Sequence, residues 1–129
     1  MSELARRPRV LLADDDAGIG TAVSRLLSSS CEFVGRVADP ATLFQAATEF
    51  RPDVILLDFS LPGGVNPLEL CSRLKIKMPD IRIVAFTAED DPEIQRAAIE
   101  AGASGFLWKP RAGRDLVRTI HAVIGITGP

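Results

Sequence analysis

Asp14, Asp15, Asp16, Asp58, Thr87 and Lys109 are the residues whose types and spacing could do chemistry. Each stands at the end of a short apolar run. Val10-Leu11-Leu12-Ala13 precedes the three aspartates, and Val54 to Leu57 precedes Asp58. Ile81 to Phe86 leads to Thr87, and Gly105 to Trp108 leads to Lys109. Short apolar runs bounded by breakers read as strands of a sheet covered on both faces. The carboxyl ends of parallel strands share one edge, where open α/β sheets bind ligands. The pattern therefore gathers several carboxylates, a hydroxyl and an ammonium in one place. Two carboxylates about 4 Å apart repel by roughly 4 kcal/mol at an effective dielectric of 20, so three together either raise one another's pKa values or call for a cation. A hard divalent ion with oxygen ligands fits, and Mg2+ suits a site that also handles phosphate. A carboxylate nucleophile would form an acyl phosphate. Lys109 and the Thr87 hydroxyl would then serve the other phosphoryl oxygens, which is the equipment of phosphoryl transfer.

The elements between these runs are helical. Ile19, Val23, Leu26 and Leu27 form one apolar stripe, and Ser28-Ser29-Ser30 ends it. Cys31 to Val37 is a further strand, with Phe33 and Val34 its best apolar positions. Asp39-Pro40, Asn66-Pro67 and Asp91-Pro92 each pair a capping residue with proline at the first helical position. Gly102 and Gly125 are helix stops. Leu116, Val117, Ile120, Val123 and Ile124 give a last amphipathic helix. Five repeats of strand then helix predict a parallel sheet with right-handed crossovers in a three-layer α/β domain.

The totals exclude other classes. At 129 residues the chain has room for one core. A net charge of -2 and pI near 5.4 give no basic footprint for nucleic acid. Cys31, Cys71 and a single histidine make no zinc set, and the cysteines read as reduced and buried. No run is long enough to span a membrane, and a cytoplasmic location is expected.

Taken together, these residues resemble the receiver domain of bacterial two-component response regulators. The likeness runs from about Arg9 to Gly125. It is carried by Asp14-Asp15-Asp16, Asp58 with Leu61-Pro62, Thr87-Ala88, and Ala101-Gly102-Ala103 through Phe106 to Lys109-Pro110. The resemblance implies a flavodoxin-like (βα)5 fold with strand order 2-1-3-4-5. Asp58 resembles the phosphoacceptor, and the phosphoryl donor would be a sensor histidine kinase. Asp15, Asp58 and the backbone carbonyl of Ser60 resemble the Mg2+ ligands, with Asp14 acting through water. Thr87 and Phe106 resemble the switch pair, and Lys109 the lysine that pairs with the phosphoryl group. The peptide Lys109-Pro110 resembles the family's cis bond. Residues 1–8 are then a flexible lead, 9–125 the receiver and 126–129 a tail or the start of a linker. The module is a switch and not an enzyme. Its face of fourth helix, fifth strand and last helix would change on phosphorylation and recruit a partner, a second copy being one option. Leu61-Pro62 and Leu116-Val117-Arg118 lean toward regulators with a helix-turn-helix output domain, so any DNA contact and control of transcription would lie outside this chain.

Some positions depart from the family's pattern. Gly63-Gly64-Val65-Asn66-Pro67 is one residue longer than usual, and Phe106 lacks the phenol of the commoner tyrosine. Asp16 matches a variable position, and Ser60 and Glu89 flank the route of an attacking water. Gly18 and Gly20 lack the third glycine of a dinucleotide-binding turn. A haloacid-dehalogenase-type phosphatase would need a late pair of acids, which Asp90-Asp91 supplies in the wrong order relative to Lys109. A phosphate-independent binding module is the other alternative, against which the intact acids, Thr87 and Lys109 stand. His121 and the arginines Arg6, Arg7 and Arg9 read as solvated surface. Trp108 reads equally as core or as exposed partner surface.

Overall fold

The computed structural model describes residues 6–125. Its elements are β1 (Arg9–Ala13), α1 (Ala17–Leu27), β2 (Glu32–Val37), α2 (Pro40–Phe50), β3 (Val54–Asp58), α3 (Pro67–Lys77), β4 (Arg82–Thr87), α4 (Pro92–Glu100), β5 (Gly105–Trp108) and α5 (Ala112–Val123). All strand pairs are parallel, and the sheet order is β2-β1-β3-β4-β5. This is the expected (βα)5 flavodoxin-like sandwich.

The period of two in the strands sorts the core into two halves. Leu11, Ala13, Ile55, Leu57, Ile83 and Ala85 face one side and pack on Leu43, Leu70, Leu74 and Ala98 of α2, α3 and α4. Val10, Leu12, Val54, Leu56, Val84 and Phe86 face the other, against Val23 and Leu27 of α1 and Leu116 and Ile120 of α5. Both faces are covered, which is why β3 reads as an unbroken apolar run and is buried at every position.

The helix ends give the two edges of the sheet different chemistry. At the carboxyl edge, Asp16, Asp39, Asn66 and Asp91 cap α1, α2, α3 and α4 by accepting from backbone N–H groups two or three residues on. The helix carboxyl ends lie at the opposite edge, where free carbonyls favour cations. Arg7 donates to the Ser28 carbonyl at 3.1 Å and Arg9 to Phe50 at 2.7 Å. Lys75 donates to Pro79 at 2.7 Å and Arg82 to Val123 at 3.2 Å. Arg6 pairs both its terminal nitrogens with Asp53, each at 2.8 Å. The arginines expected to be simply solvated are thus anchored, though Arg6 and Arg7 are exposed. Met1–Ala5 of the expected lead and the tail at 126–129 lie outside the described residues.

The long loop after β3 is accommodated by Gly63, at φ +128°. A Cβ there would stand 2.5 Å from Cδ of Pro40, so the loop rests directly on the start of α2. Gly102 closes α4 at φ +116°, as its position predicts, with Lys75 Cγ 2.7 Å from where a Cβ would be. The Lys109-Pro110 peptide is trans, correcting the expectation of a cis bond; there are no cis bonds among the described residues. The reason is local. Lys109–Arg111 form a 3-10 turn in which Ala112 N–H donates to the Lys109 carbonyl. That turn accepts proline's fixed φ and leads straight into α5, so the ordinary trans preference prevails.

Candidate functional site

Asp58 is the last residue of β3, and its side chain is 4% exposed. Asp14 follows β1 directly. Its N–H donates to the Val37 carbonyl at 2.9 Å, and its side chain is 1% exposed. Asp15 beside it faces solvent. One carboxylate oxygen from each of Asp14, Asp15 and Asp58 falls in a group spanning no more than 4.8 Å. Lys109 reaches this group from the end of β5. Its Nζ is 2.7 Å from Asp14 Oδ2 and 3.4 Å from Asp58 Oδ1. The same ammonium lies 5.2 Å from the centre of the Phe86 ring, an additional source of cation stabilisation.

The electrostatics follow from burial. Burial pushes the Asp58 carboxyl above its ordinary pKa of 3.8, and the nearby Asp14 adds to this. The Ser60 N–H, which donates to Asp58 Oδ1 at 2.9 Å, and the Lys109 ammonium oppose the rise without cancelling it. Burial pulls Lys109 down, but its hydrogen bond to Asp14 and the charges of Asp58 and Asp14 outweigh that and raise it above 10.5. One ammonium thus offsets a three-acid pocket only in part. An all-oxygen donor set with residual negative charge fits a hard divalent cation.

Thr87 ends β4 and is 4% exposed. Its hydroxyl accepts from Glu89 N–H at 3.1 Å. Phe106 is half-buried against the core on the α2–α4 side. Ser60 is exposed beside Asp58.

Three features escaped the sequence reading. Asp16, read as a variable position, is the α1 cap, accepting from Gly18 N at 2.7 Å and Ile19 N at 3.3 Å. Gly20 is small because Arg36 lies over it; a Cβ would meet Arg36 Cδ at 2.8 Å. Arg36 in turn donates to the Asp14 carbonyl at 3.1 Å. Gly20 of the apparent dinucleotide motif is therefore explained by the packing of Arg36 beside the acidic pocket. Finally, Trp108 is half-buried, and its indole N–H donates to the Ala88 carbonyl at 2.9 Å. The asparagine or aspartate before a helix is the signal that would have found the Asp16 cap. No pattern of spacing marks the other two bonds.

The sequence model of the response regulator receiver domain matches residues 10–121. The chain belongs to that family. Receivers are signalling modules, and the Asp14/Asp15/Asp58 pocket with its Lys109 ion pairs is typical of their phosphoacceptor and metal site. Oxygen regulatory protein NreC of Staphylococcus epidermidis is 32% identical over 117 residues, which are 89% of this chain and 54% of the relative. This receiver therefore spans about half the length of the curated relatives it matches. A LuxR-family two-component response regulator from an Aurantimonas species is 27% identical, with a TM-score of 0.85 over 93% of this chain and 86% of that one. The isolated receiver of RcsB from Salmonella enterica, solved with a phosphomimetic, shares the fold at 22% identity and TM-score 0.84, over 93% and 90% of the two chains. No helix among the described residues is long and apolar enough to cross a membrane.

Proposed function

We propose that Asp58 is the phosphoacceptor of this receiver, charged by a sensor histidine kinase. The observation that carries the reading is the placement of the Asp58 carboxyl, buried at a strand end between two further acids and the Lys109 ammonium. A carboxylate oxygen of Asp58 attacks phosphorus, and the P–N bond of a phosphohistidine breaks with its electron pair returning to the imidazole. Lys109 balances charge on the transferring oxygens, having Asp14 and Asp58 already within reach. Asp15, Asp58 and the Ser60 carbonyl would hold Mg2+, with Asp14 acting through water. Bound there, the ion would neutralise charge on the phosphoryl oxygens. Thr87 shifts so that its hydroxyl moves onto the phosphoryl group, and Phe106 moves inward behind it. Ser60 and Glu89, both exposed and lining one cleft with Thr87, govern access of the water that ends the state.

The face made by α4, β5 and α5 is the output surface. A groove of about 350 Å³ lies on it, lined in part by Gln95, Phe106, Arg111 and Arg118. Phosphorylation shifts the population of its conformers and favours docking of a partner, a second copy among them. We assign the output to transcription, executed by a DNA-binding domain outside this chain; the likeness to a two-component response regulator of the LuxR family supports that reading.

Incubation with a labelled, autophosphorylated kinase domain and Mg2+ tests the reading. The chain should gain label that hydroxylamine removes, as it removes an acyl phosphate. Label that resists hydroxylamine would place the phosphate elsewhere.

A further inference from the structure

Trp108 is the chain's one tryptophan, and it ends β5 immediately before Lys109. Across the sheet it is in register with Thr87. Its indole N–H reaches one residue further, to the Ala88 carbonyl at 2.9 Å. Ala88 opens the β4–α4 loop, in which Ala88, Glu89 and Asp90 are all exposed. A segment with little buried surface is held mainly by its hydrogen bonds. Two bonds fix its first residues here, the indole on Ala88 and the Glu89 N–H on Thr87 Oγ1.

We propose that Trp108 is a positioning residue for the switch: its indole N–H latches the β4–α4 loop and keeps Thr87 in its unphosphorylated arrangement. The inference rests on the assignment of Asp58 and Thr87 above and deepens it. The movement proposed for Thr87 is a shift of its backbone toward Asp58, and because Thr87 and Ala88 share a peptide bond that shift carries the Ala88 carbonyl with it. That movement stretches or breaks the indole bond. The groove beside Trp108, with Phe106 and Thr119 on its wall, gives the released ring room. A valine or leucine at this position has no donor, so the restraint belongs to the indole. A neutral hydrogen bond of this kind shifts a two-state equilibrium by a factor of about 2 to 10. The apparent affinity of any ligand that selects the moved state is reduced by that factor.

The test uses the whole chain with Mg2+ and beryllofluoride as the phosphoryl mimic. Trp108→Phe keeps an aromatic ring and deletes the donor. Its apparent affinity for beryllofluoride should rise about 2- to 10-fold over wild type. Equal or weaker binding would overturn the latch. A merely structural role for Trp108 would lower the melting temperature and weaken binding, which is the opposite sign. The wild-type chain supplies a second measurement that does not depend on the variant folding. With 15N-labelled tryptophan it shows one indole N–H signal, and that proton should exchange faster with solvent once beryllofluoride saturates the site. Unchanged exchange would also overturn the proposal. Absence of any saturable binding to wild type is a distinct result: it removes the phosphoacceptor reading and the latch with it. Failure of the latch alone leaves wild type binding and Asp58→Asn not.

Discussion

At the scale of the residue, Asp58 is defined by the cost of its own charge. Its folded pKa lies above the ordinary 3.8, chiefly through burial, so the fold favours its protonated form. The stability tied to that form is fully present below pH 3.8 and is lost as pH rises through the elevated folded value. At neutral pH the ionised carboxylate is therefore a burden on the fold. Asp58→Asn should raise the melting temperature at pH 7, without divalent ions, by roughly 2–4 °C, the equivalent of about 1 kcal/mol in a domain of this size. The advantage should shrink as pH falls toward 3.8. Thermal melts across pH check this, and a lower melting temperature for the variant at pH 7 would contradict it. The acids, Thr87 and Lys109 were legible because each ends an apolar run. The directions of Arg36 and Trp108 were not, since both depend on which backbone carbonyl a long side chain meets across the fold.

At the scale of the element, strand and helix identities follow from simple patterns. The period of two in β1, β3 and β4 separates the core halves, and three proline-started helices carry their caps where the sequence places them. The strand bounds differ from expectation by a residue, with Cys31 and Ile81 left outside β2 and β4. Loop geometry was the harder part. The extra residue after β3 was visible, but its contact with Pro40 of α2 arises only when the folded chain brings the loop onto that helix start. Gly63 combines φ +128° with 2.5 Å to the Pro40 ring, which cannot swing away as a flexible side chain would. Gly63→Ala should cost about 1–3 kcal/mol, a fall in melting temperature of roughly 3–10 °C. Gly64→Ala should cost less, because at φ +76° it has nothing within 4 Å of its added Cβ. Equal losses would mean that backbone conformation alone sets the cost. The trans Lys109-Pro110 bond is the other local outcome that the resemblance did not foretell, and the 3-10 turn into α5 accounts for it.

At the scale of the whole molecule, the parallel sheet gives the domain two unlike edges. The amino edge is closed by Arg6, Arg7, Arg9, Lys75 and Arg82 on carbonyls and on Asp53. The carboxyl edge holds the acidic pocket and the helix amino ends, open to an incoming phosphoryl group. The edge assignment was legible in the order of the elements, since every crossover returns the chain to the same starting side. The anchoring of the basic lead was not, because Arg6 and Asp53 are 47 positions apart. Everything proposed for the chain turns on one covalent event at the carboxyl edge. Intact mass spectrometry after incubation with Mg2+ and acetyl phosphate tests it most directly, with Asp58→Asn treated alongside. The wild-type chain should gain the mass of one phosphoryl group and the variant none. Equal addition to both, or none to the wild type, would contradict the assignment of Asp58 as the phosphoacceptor.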